Sequence, residues 1–116
     1  MKNLLLLVIL CYPFSTPSGY ILKNDSIMFI YPSQEQEMQV IVSGNFNNWS
    51  KDDTWKMYYE EGTGYILEKD LQEVKKPGRS FYEFTFRVDG VLVDADDSAS
   101  NVIHCAGFGS RYLIHF

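Results

Sequence analysis

Phe81-Tyr82-Glu83-Phe84-Thr85-Phe86-Arg87-Val88 is followed at once by Asp89-Gly90. In the octet Tyr82, Phe84, Phe86 and Val88 fall on one set of alternate positions, and Phe81, Glu83, Thr85 and Arg87 on the other. A period of two belongs to a strand with one buried and one exposed face. Asp-Gly is a strong hairpin signal, because both residues take positive φ readily. Val91 to Val93 answers it as a short return strand.

Working outward, the same grammar recurs. Ser26 to Tyr31 is β-branched and aromatic and stops at Pro32-Ser33. Met38, Val40 and Val42 alternate with Gln39, Ile41 and Ser43, which predicts another strand. Gly44 to Asp53 is rich in Asn, Gly, Ser and Asp and reads as a loop, with Phe46 and Trp49 inside it. Trp55 to Glu60 and Tyr65 to Leu71 are predicted strands joined by Glu61-Gly62-Thr63-Gly64, where two glycines are free to take positive φ. Arg111 to Phe116 is a closing strand, with Tyr112, Ile114 and Phe116 on one face. Asp70 to Lys76 has room for one helical turn before Pro77-Gly78 ends it. These elements predict an all-β chain of about seven strands, a β-sandwich of immunoglobulin-like size.

Composition agrees. The 116 residues include 8 Phe, 8 Tyr and 2 Trp, and flat rings suit pleated, half-buried surfaces. The net charge of −5 speaks against a nucleic-acid partner, which calls for a basic patch. Two Cys cannot make a disulfide scaffold.

Residues 1–18 read as a secretory signal peptide: Lys2, an apolar run from Leu4 to Leu10, then Pro13, Pro17 and small residues. The run is too short to span a bilayer. The expectation is therefore a leader, 1–18, and a domain, 19–116, secreted or periplasmic, with no membrane association beyond export. Lipid attachment at Cys11 is the alternative, although Leu10 before it is not small. Cys105 would then be the only Cys left, and its neighbours Ile103 and Ala106 predict a buried apolar filler.

Two clusters, Val42-Ser43-Gly44-Asn45-Phe46-Asn47-Asn48-Trp49 and Tyr82 to Gly90, resemble carbohydrate-binding module family 48. This is an early-set, immunoglobulin-like family that includes the glycogen-binding domain of the AMP-activated protein kinase β subunit and the N-terminal domains of branching and debranching enzymes. Leu113-Ile114-His115-Phe116 is similar to that family's last strand, and the likeness covers residues 26–116. The resemblance implies a non-catalytic module for α-glucan or another polysaccharide, with no cofactor. It implies a site at Trp49 with polar help from Asn47, Thr85, Arg87 and Arg111. An exposed indole offers a flat apolar platform for the C–H face of a sugar. In this family a second Trp stands where this chain has Leu92, and a Lys where it has Thr85. A protein-interaction module on the same fold, with a degenerate sugar site, is the second reading.

Other patterns carry less. Asn24-Asp25-Ser26 and Asn48-Trp49-Ser50 match the N-glycosylation acceptor. Asp94, Asp96 and Asp97 resemble the start of a calcium loop, but Cys105 stands where its closing Glu belongs. His104 and His115 have no spacing partner for zinc. Glu60, Glu61 and Glu68 read as surface charge rather than a glycosidase pair. There is no nucleophile elbow, phosphate loop or dinucleotide fingerprint, so no enzyme activity is expected.

Overall fold

The computed structural model describes residues 18–105, 107 and 109–116. The leader expected at 1–18, with Cys11, lies outside the described residues but for Ser18. The described residues hold nine strands: β1 Gly19–Leu22, β2 Ser26–Tyr31, β3 Val40–Gly44, β4 Tyr58–Glu60, β5 Gly64–Asp70, β6 Glu83–Val88, β7 Val91–Leu92, β8 Val102–Cys105 and β9 Gly109–Leu113. They form two antiparallel sheets consistent with a β-sandwich. One runs β1-β2-β5-β4; the other runs β3-β6-β9-β8, with β7 also on β6.

The aromatic face of β6 explains why the sheets stay together. Phe84 is fully buried and meets Phe29 of the opposite sheet edge to face at 5.0 Å. It also stacks on Tyr112 of β9 at 5.1 Å. Phe86 meets Tyr31 of β2 at 5.1 Å. Burying one such ring is worth about 1.5–3 kcal/mol, and the pairs with Phe29 and Tyr31 join both layers.

The turns follow their chemistry. Asp89 and Gly90 both have positive φ (49° and 89°), as a type I′ hairpin requires, and Val88 pairs with Val91 across them. Gly64 has φ 114°, and a Cβ there would lie 2.5 Å from the Tyr31 carbonyl, so its place needs glycine twice over.

Several expectations are corrected. The described residues hold nine strands rather than about seven, because Gly19–Leu22 and Val102–Cys105 add two. The strand expected at Trp55 begins only at Tyr58. Asp52 caps a 3-10 turn at Asp53–Trp55 by accepting from Thr54 N, and Lys56 makes a single bridge to Ile41 before the chain crosses to the other sheet. The closing strand ends at Leu113 rather than Phe116, leaving Phe116 exposed. The one-turn helix, α1, spans Leu71–Val74. Cys105 is half-buried on β8, not enclosed: among the described residues that strand pairs only with β9.

Candidate functional site

The loop after β3 is built around Gly44 and Asn47. Gly44 is buried, and a Cβ there would lie 2.6 Å from both the Glu83 carbonyl and the Phe46 ring. Its φ is not positive, so glycine is required here by close approach rather than by turn geometry. Phe46 folds into the core, 5 % exposed, against Phe29 and Trp55. Asn47 ties the loop from within: its Oδ1 accepts from Gly44 N and Ser50 N, and its Nδ2 donates to the Val42 carbonyl. Asn45 does the same work towards β6, exchanging bonds with Glu83 N and the Phe81 carbonyl.

These bonds hold Asn48 and Trp49 in consecutive left-handed conformations, φ 58° and 54°. A bulky residue at such a φ is a true outlier. The result is that the chain turns Trp49 away from the core that receives Phe46. Trp49 is half-buried and takes no part in the core cluster. The other Trp, Trp55, packs against that cluster with Lys69 Nζ 4.7 Å from its ring.

Trp49 is tied to the outer face of the five-stranded sheet. Arg87 Nη2 donates to its carbonyl at 3.3 Å, and the Arg111 guanidinium lies 5.5 Å from its ring centroid. Phe84 opposes Tyr112, and both face the core. Alternation therefore sends Thr85, Arg87 and Arg111 to the opposite face. Ser43 faces Thr85 from β3, and Leu92 faces Arg87 from β7.

The expected site residues are thus brought to one region, but in different roles. Trp49, Arg87 and Arg111 are partly accessible. Asn47 spends both amide atoms on the backbone. Thr85, expected on an exposed face, is 0 % exposed and donates to the Val93 carbonyl at 2.6 Å. The chain beyond β7 keeps contact with β6 through Val93 N and the Phe86 carbonyl, so it covers what alternation alone leaves open. Ser43, which the sequence did not single out, is also fully buried. Its Oγ and the Nε of Arg87 are buried without hydrogen-bond partners. Buried polar groups are rarely left so. No spacing in the sequence marks Ser43; only the register opposite Thr85 does.

The remaining candidates lie elsewhere. Asp96 accepts from Ser98 N and Oγ, which holds its carboxyl below the ordinary value, and Asp94 accepts from Ser110 N. Among the described residues, no three His, Cys, Asp or Glu side chains are grouped to hold a metal ion. His104 and His115 are exposed. Glu68 is held by Ser26 and Lys23, and these bonds lower its pKa. Asn24 and Asn48 are both exposed.

No protein-family model matches the chain, and no curated protein is significantly similar to it.

Proposed function

We propose that this is an exported, non-catalytic module that binds an α-glucan or related polysaccharide on the outer face of the five-stranded sheet. The observation that carries the reading is Trp49, an indole kept out of the aromatic core and set beside Arg87 and Arg111. Such a surface sets an apolar ring beside two guanidinium groups; Arg87 already donates to the Gly90 and Trp49 carbonyls and Arg111 to that of Ser110, and their remaining outward N–H groups can meet sugar hydroxyls. Asn47 and Thr85 then act beneath the site, shaping the loop and securing the chain after β7. The likeness of Val42 to Trp49 and of Tyr82 to Gly90 to carbohydrate-binding module family 48 supports the same reading, as an early-set sandwich. The apolar run from Leu4 to Leu10 supports export, with 1–18 removed.

Retention on amylose and glycogen, compared between wild type and Trp49→Ala, tests the reading. Loss of retention at a temperature where both proteins remain folded is expected; equal retention of both proteins ends it.

One observation favours the second reading, a protein-interaction module. Val91 is 64 % exposed at the β6–β7 hairpin, next to Leu92, where the resembled family carries its second Trp. An exposed Val91 beside a half-buried Leu92 suits a protein contact better than a sugar. Shift mapping with maltoheptaose separates the two: perturbation around Trp49 and Arg111 favours sugar, and silence there favours a protein.

A further inference from the structure

At the end of β6 remote from the Asp89-Gly90 turn, the chain from Lys75 to Phe81 borders two adjoining open clefts of about 610 and 420 Å³. Both are lined by Lys76, Pro77 and Arg79, and neither has an acidic lining residue. Lys75, Lys76 and Arg79 put three of the chain's ten Lys and Arg within five positions of a protein whose net charge is −5. The ion pairs among the described residues, Lys23–Glu68 and Lys69–Glu73, use none of them. Lys75 also borders Asp25 and Asp70 on its far side, but Lys76 and Arg79 share both clefts with no acidic side chain; like charges so gathered repel, and an anion bound among them relieves that repulsion.

The loop is held in place. The Tyr82 hydroxyl accepts from Lys76 N and lies within hydrogen-bond reach of the Lys76 and Arg79 carbonyls. Phe116 stands beside it, 46 % exposed, edge to face with Tyr82 at 5.1 Å, and Lys75 Nζ lies 5.2 Å from its ring centroid. The larger cleft therefore offers an open aromatic ring next to cationic donors, on an anchored loop.

We propose that these clefts form a second binding site, separate from Trp49, for an acidic saccharide, with carboxylate or sulfate groups on Lys75, Lys76 and Arg79 and a ring face on Phe116. Two clefts sharing one basic loop fit a chain with repeated negative charge better than a single small anion. An acidic peptide is the weaker fit. Peptides gain affinity largely by backbone pairing along a free sheet edge, and here β6 is paired on both sides, with Gly44 of β3 at Phe84 and with Leu113 of β9 at Glu83. The site goes beyond the glucan reading and does not depend on it.

The test is a titration of the full chain at low salt with a heparin-derived tetrasaccharide, followed by amide shifts. Hexaglutamate and maltoheptaose serve as comparators. Saturable shifts are expected at Lys75 to Arg79 and at Phe116. Affinity should fall roughly tenfold in the Lys76→Gln/Arg79→Gln double variant, as expected for loss of two partly exposed ion pairs, and fall again with added salt. It should be unchanged in Trp49→Ala. The proposal is overturned by absence of saturable binding, by equal affinity in the double variant, or by loss of binding in Trp49→Ala. Hexaglutamate binding as tightly as the tetrasaccharide overturns the saccharide class.

Discussion

The guanidinium of Arg111 and the indole of Trp49 face each other at 5.5 Å, one from the middle of β9, the other from the loop after β3. The pair joins two segments that share no backbone ladder, since β6 lies between β3 and β9. A cation on a half-buried indole is worth about 0.5–1 kcal/mol. Arg111→Gln should lose that amount in urea denaturation. It should also shift the indole N–H signal of Trp49 while leaving that of Trp55 in place. An unmoved Trp49 signal would show that the two side chains do not meet in solution.

Asn47 should matter more for the loop than for any ligand. Asn47→Ala removes three bonds, to Gly44, Ser50 and Val42, and leaves those backbone groups to find water. At about 1 kcal/mol for each bond the loss is on the order of 3 kcal/mol. Hydrogen exchange at the Gly44 and Ser50 amides should speed up well before global unfolding. Protection equal to wild type would contradict the arrangement.

Gly44 and Gly62 make a matched pair. A Cβ at Gly44 meets the Glu83 carbonyl at 2.6 Å and Phe84 Cβ at 2.8 Å, and neither neighbour can yield without moving β6. Gly44→Ala should therefore cost more than about 3 kcal/mol, beyond the usual range for overpacking. A Cβ at Gly62 meets nothing within 4 Å, and only its φ of 87° resists substitution. Gly62→Ala should cost about 1–2 kcal/mol. Chemical denaturation of both variants checks the order, and similar losses would refute the close contact.

Acid sensitivity can be followed at Asp96. The bond from Ser98 N, and then that from Ser98 Oγ, hold its carboxyl below the ordinary value of 3.8. A carboxyl depressed in the folded state stabilises the fold at pH values above its unfolded value. That contribution is lost as pH falls through the lower, folded value. Ser98→Ala removes the hydroxyl bond, so the Asp96 midpoint should move up towards 3.8 in a carboxyl-carbon NMR titration. A midpoint at or above 3.8 in wild type would contradict the geometry.

The core was legible because its signal is local. Tyr82, Phe84 and Phe86 announce a buried face by alternation alone, and Asp89-Gly90 announces the turn that follows. The solvent face was not legible in the same way. Thr85 sits at an outward position, yet it is covered by chain that returns after β7, a tertiary event that no period of two records. Val102–Cys105 leaves no mark in the sequence because a four-residue strand between a polar stretch and Gly107 has no room to show a pattern. The segment before Tyr58 carries a capping signal in Asp52-Asp53-Thr54, yet the apolar residues after it imitate a longer strand. At the candidate site, Trp49 was readable as a residue type. The left-handed backbone that aims it, and the diversion of Asn47 and Thr85 to internal bonds, depend on contacts with β3 and β7.

One edge of β6 is divided between two partners: Arg87 and Val88 pair with β7, while Glu83 and Phe84 pair with β9. The chain between those partners leaves at Val93, pinned to the Phe86 carbonyl, and is fastened again at Asn101, bonded to Leu113 through backbone and side chain. Between these moorings the chain is held again, by buried Ala95, whose N–H and carbonyl both bond Ser110, and by Asp96 N on the Tyr112 hydroxyl. Only the exposed turn at Asp97 and Ser98 is consequently free to lengthen, at a closure cost of about 0.6 kcal/mol per doubling, which makes that tip the natural place for grafted sequence or for divergence between homologues.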